Sequence, residues 1–179
     1  LHQTANLLRE LGVGYDDVVA VMLPGGLAYH LALWGGEAAG VVQPLNPMLS
    51  DDKLLSLLRA SGARMLIAHG DEDDSGMRAK ALHLKTLMPE LTTLLLVTAD
   101  GQPLQMATPW PDGVRDFHAL RATQAADRLL SQRRFASTDI AAFEAAKRRP
   151  GERRRSRIIL TLLLSLFLVY SLAPLVYLV

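Results

Sequence analysis

Short runs of apolar residues alternate along this chain with longer stretches in which apolar positions recur at helical spacing. Residues 1 to 11 place Leu1, Ala5, Leu8 and Leu11 on one face and Arg9 and Glu10 elsewhere, which predicts an amphipathic helix closed by Gly12. Val18 to Leu23 is an unbroken apolar run between Asp17 and Pro24. Its length and β-branched content predict a buried parallel strand. Pro24-Gly25-Gly26 reads as a turn and Leu27 to Ala39 as a helix. The small residues Gly35, Gly36, Ala38 and Ala39 suit a helix lying close against a sheet, and Gly40 is expected to end it in the left-handed conformation. Val41 and Val42 then start a short strand that Pro44 and Pro47 are expected to stop, since neither carries an amide proton for the ladder.

The alternation continues. Ser50 followed by Asp51, Asp52 and Lys53 predicts a capped helix start, with Leu54, Leu55, Leu57 and Leu58 as its buried face and Gly62 as its end. Met65 to Ala68 reads as a strand running out at His69-Gly70, Met77 to Met88 as a helix, and Leu91 to Thr98 as the last strand. Between them, Asp71 to Gly76 is an acidic loop. Residues 99 to 113, with Pro103, Pro109 and Pro111, read as loop, Phe117 to Leu130 as a helix and Ala136 to Phe143 as a connector. Helix and strand in turn predict the α/β class, a partial parallel sheet with flanking helices and open strand edges.

The pattern changes after Phe143. Ile158 to Val179 holds 22 consecutive uncharged residues, fifteen of them Leu, Ile, Val or Phe. As a helix it measures about 33 Å at 1.5 Å per residue, enough for a hydrocarbon core of about 30 Å. The sequence therefore predicts a single transmembrane helix over 158–179, with membrane lipid as its partner. Seven Lys or Arg and one Glu stand between Lys147 and Arg157, and that placement predicts a cytoplasmic side for residues 1–157. Tyr170 and Tyr177 are candidates for interface positions, Tyr177 being the nearer to the end.

Charge and composition narrow the partners. The basic run contributes +6 to a whole-chain charge of +1, so the rest carries −5 and gives no electrostatic case for nucleic acid. Absence of cysteine removes disulfides and thiolate metal sites. The chain begins at Leu1 inside a helical pattern, which suggests a piece of a longer product, and no secretory signal is visible there.

Candidate chemistry is sparse. His2, His30, His69, His83 and His118 are dispersed without metal-ligand spacing. The acids from Asp71 to Asp74 lack a calcium-loop pattern and read as a solvated loop. Gly25-Gly26 and Gly35-Gly36 lack the spacing and the Lys-Ser/Thr ending of a phosphate-binding loop, so a turn and a close-packed helix are expected there. Tyr29, Trp34 and Met48 suggest an apolar pocket lining, but plain core is the simpler expectation. No catalytic, cofactor-binding or metal residue is assigned.

Several separated blocks carry a resemblance. Leu11-Gly12-Val13-Gly14-Tyr15-Asp16-Asp17-Val18-Val19-Ala20-Val21-Met22-Leu23-Pro24, the joint Gly35-Gly36-Glu37-Ala38-Ala39-Gly40 with Pro44-Leu45-Asn46-Pro47, and Leu54 to Ala68 together resemble the N-terminal part of adenylate-forming acyl-CoA synthetases over residues 1–143. The resemblance implies a parent reaction of ATP-dependent acyl adenylation followed by thioester formation with CoA, using ATP, Mg and CoA. In that family a segment like Thr138-Asp139-Ile140-Ala141-Ala142-Phe143 leads into a Ser/Thr/Gly-rich phosphate loop. Here it leads into Glu144-Ala145-Ala146-Lys147-Arg148-Arg149-Pro150. The family's later aromatic-Gly-x-Thr-Glu segment, ribose-binding aspartate and C-terminal adenylation lysine are likewise not found, so no cofactor is expected in this chain. Arg157 to Val179 weakly resembles the first membrane span of sugar-type ABC transporter permeases.

The expected organisation is a truncated synthetase-like α/β domain over 1–143, a basic linker over 144–157 and a transmembrane helix over 158–179. The expected function is that of an acyl-CoA synthetase fragment, inactive alone. The alternative is a membrane-anchored non-catalytic module or the fused start of a permease.

Overall fold

Five parallel strands with helices on both faces make up the fold in the computed structural model, which describes residues 1–71, 76–104 and 110–131. The elements run α1 (His2–Glu10), β1 (Val18–Met22), α2 (Leu27–Ala39), β2 (Val41–Pro44), α3 (Asp51–Ser61), β3 (Met65–His69), α4 (Met77–Leu87), β4 (Thr93–Val97), β5 (Val114–Asp116) and α5 (Phe117–Ala122). The sheet order is β2-β1-β3-β4-β5, all neighbours parallel.

Successive strand residues point to opposite faces, so each inner strand feeds two cores. Ala20, Met22, Leu66, Ala68, Leu94 and Leu96 meet Leu54 and Leu58 of α3 and Ala81 and Leu84 of α4. Val19, Val21, Ile67, Leu95 and Val97 meet Leu7 and Leu8 of α1, Ala32 and Ala39 of α2 and Phe117 of α5. This double burial is why the strands read as continuous apolar runs in the sequence.

Several expectations are corrected. Gly40 does not end α2 in the left-handed conformation; its φ is −156°. Glycine is needed there for close approach, because a Cβ would lie 2.7 Å from the Asp17 carbonyl and 2.9 Å from that of Gly14. β2 ends at Pro44, as expected, but not through a lost ladder bond. The Val41 and Leu45 amides donate to Asp17 O and Val21 O of the β1 strand and its approach. Amides alternate in direction along a parallel strand, so the position of Pro44 faces away from β1 and forfeits no ladder bond.

Ser50 stands at the start of α3, but its hydroxyl makes no capping bond. Gly62 does close that helix in the left-handed region, φ 69°. Leu57 is only half-buried, and Leu1 is exposed. Leu91 to Thr98 contains a shorter strand than expected, and β5 adds a fifth strand between the loop expected over 99–113 and the helix expected from Phe117, where the sequence predicts no element. The helix expected from Phe117 to Leu130 ends at Ala122, with turns and bends to Ser131.

Among the described residues, no helix is long and apolar enough to cross a membrane. The transmembrane helix expected over 158–179, the basic linker over 144–157, the connector over 136–143, the boundary at Phe143 and residues 72–75 of the acidic loop lie outside the described residues.

Candidate functional site

The strand order places one switch of direction in the sheet. Although β1 and β3 are neighbours, α2 after β1 packs on one face and α4 after β3 on the other. The connections diverge at the carboxyl ends of these strands and leave a crevice, where open α/β sheets bind their ligands. Two segments border it: Pro24-Gly25-Gly26 after β1 and His69-Gly70-Asp71 after β3.

The first segment is open. Neither Gly25 nor Gly26 has an atom within 4 Å of where a Cβ would stand, and Gly26 holds φ 119° ahead of α2. His30 Nδ1 lies 2.7 Å from the Gly26 carbonyl, so that ring nitrogen donates one turn back along α2. The second segment is tied down. The Gly70 amide donates to Val97 O at 2.8 Å, and Asp71 Oδ2 accepts from the Ala99 amide at 2.8 Å while lying 3.6 Å from His69 Nε2.

Beside it, the β4 exit is similarly knitted. Asp100 Oδ1 accepts from the Gln102 amide at 2.9 Å. That bond, helped by the nearby Thr98 hydroxyl, holds the Asp100 carboxyl below its ordinary range. The buried His118 ring has Nε2 3.1 Å from Thr98 O, so Nε2 donates, and Nδ1 has no partner among the described residues.

The Pro24–Gly26 turn contains no Lys, Arg, Ser or Thr, and its two glycines stand open. Gly35 and Gly36 are packing positions: a Cβ would meet Thr4 Cβ at 2.5 Å and Val42 Cγ2 at 2.5 Å respectively.

The five histidines are not brought together. His2 faces Ala126 O, His30 faces Gly26 O, and His83 lies 3.8 Å from Asp51 on α3. No group of three metal-ligating side chains occurs among the described residues. Tyr29 packs on the second core, but Trp34 and Met48 are exposed, so plain core is the wrong description of those two. Met48 sits on a loop whose carbonyls at Pro47 and Leu49 each accept from Lys80 Nζ at 2.9 Å. Sequence reasoning gave no sign of that clamp, because the partner lies 31 to 33 residues away.

Two clefts among the described residues, of about 160 and about 520 Å³, open at the amino ends of the strands and share Gly62, Arg64 and Thr92. Arg64 lines both and Arg59 the larger, where Arg59 donates to Leu87 O at 3.3 Å; outside their lining, Arg9 donates to Val13 O and Lys85 to Leu91 O at 3.0 Å. These contacts complete helix and turn ends, and the clefts are seams between them.

Residues 1–141 match the family model described as "AMP-binding enzyme". The chain is 25% identical over 139 residues to Marinolic acid–CoA ligase of Pseudoalteromonas sp. (strain SANK 73390), covering 78% of this chain and 20% of that protein. Among solved structures it resembles a Brucella canis acyl-CoA synthetase at TM-score 0.56 and 20% identity, over 72% of this chain and 21% of the other. It also resembles the anthranilate CoA ligase AuaEII in complex with anthranoyl-AMP, at TM-score 0.56 and 17% identity, over 73% and 22%. The chain thus spans about a fifth of the length of these relatives. Residues 157–179 and their likeness to permease spans have no counterpart in these matches, which cover the front of the chain.

Proposed function

The chain belongs to the AMP-binding enzyme family, and from that premise we propose that it is a non-catalytic portion of an acyl-CoA ligase fold. The parent reaction is ATP-dependent activation of a carboxylic acid to an acyl-adenylate and then to an acyl-CoA thioester. In this reading residues 1–141 supply a sheet and its flanking helices to that fold, and no residue of theirs carries out the chemistry.

The observation that carries the reading is the text after Phe143. Where the family sequence turns into a phosphate loop, these residues turn into Glu144-Ala145-Ala146-Lys147-Arg148-Arg149-Pro150. The open Pro24–Gly26 turn does not substitute for the loop, as it brings neither cation nor hydroxyl. ATP–pyrophosphate exchange by the full 179-residue chain, assayed with short, medium and long fatty acids and Mg, is the test. No exchange above background is expected. Robust exchange with any of them overturns the proposal.

A second reading concerns location. The apolar run Ile158 to Val179 behind its arginine-rich flank favours attachment to membrane lipid with the family domain in the cytoplasm. Retention in the membrane pellet after carbonate extraction supports it; release into the supernatant overturns it.

A further inference from the structure

We draw no further inference here: the strongest candidate, the cleft between the end of α3 and the turn from α4 into β4, is lined by charged side chains of both signs, Arg59, Arg64 and Glu90, beside Ala63 and Met88, and nothing in the structure shows what occupies it.

Discussion

The Leu130 amide donates to Asn6 Oδ1 at 2.8 Å, a bond that spans 124 residues of chain. The Asn6 amide group donates in turn to Ala125 O and Arg128 O, both at 3.0 Å, from a side chain that is buried. One side chain of the first helix therefore anchors the whole turn-rich segment after α5, with Gln3 Nε2 adding a bond to Gln124 O. Removing it leaves three main-chain groups to find other partners. Asn6→Ala is expected to lower stability by about 1–3 kcal/mol and to raise amide hydrogen exchange from Gln124 to Ser131 before the rest unfolds. Unchanged exchange in that segment sinks the assignment.

Gly40 and Gly25 make opposite predictions. A methyl at Gly40 collides with two carbonyl oxygens that cannot move without dragging β1's approach, so Gly40→Ala is expected to cost about 1–3 kcal/mol, toward the upper end. Gly25→Ala meets no atom within 4 Å and is expected to stay within about 0.5 kcal/mol of the parent. Urea unfolding of the two variants side by side decides it; equal losses contradict the close-approach account.

Lys80 acts as a latch on the loop that carries Met48. Lys80→Met keeps the aliphatic stem and deletes both bonds to the Pro47 and Leu49 carbonyls. With the Lys80 side chain 27% exposed and Asp51 3.9 Å away, a loss of about 1–2 kcal/mol is expected after discounting for solvent screening. Limited proteolysis supplies the check: cleavage between Leu45 and Leu49 is expected to accelerate in the variant, and identical cleavage refutes the latch.

Asp100 gives a pH signature. Its carboxyl titrates below the ordinary carboxylate range because the Gln102 amide, and then the Thr98 hydroxyl, favour the ionised form. A group depressed in the folded state stabilises fully above its unfolded pKa of about 3.9 and loses that contribution as pH falls through the lowered folded value. Asp100→Asn is thus expected to show a slightly lower Tm than the parent at pH 7 and the same Tm in strong acid. A Tm gap that does not vary with pH shows the carboxylate to be irrelevant.

The inner strands were legible in the sequence because burial on both faces strips them of polar residues: Val18 to Met22 and Met65 to His69 hold no charged residue. β5 escaped because it is three residues long with a central Arg115, and its pairing with Leu94 to Leu96 is set by tertiary context. Helix signals were good where apolar periodicity met a glycine stop, as at Gly62. They failed after Ala122, where Asn6 and Gln3 capture carbonyls that would otherwise continue a helix. The crevice itself was only half visible. Pro24-Gly25-Gly26 is readable as a turn, but its position opposite His69-Gly70-Asp71 depends on a crossover that no local pattern encodes. The exposure of Trp34 was unreadable for a similar reason, as composition reports that a residue is apolar and not which side of its helix is covered.

The inner place of β1 has a bearing on synthesis. β1 is an inner strand, and its neighbour on one side, β3, follows only after β2 and α3 have been traversed. A nascent polypeptide released as far as Ser61 holds β1 with a single flank satisfied, so its other row of amides waits on Met65 to Ala68. Vulnerability to stray pairing is therefore concentrated in the interval between those two points of elongation, and closes once β3 slots in.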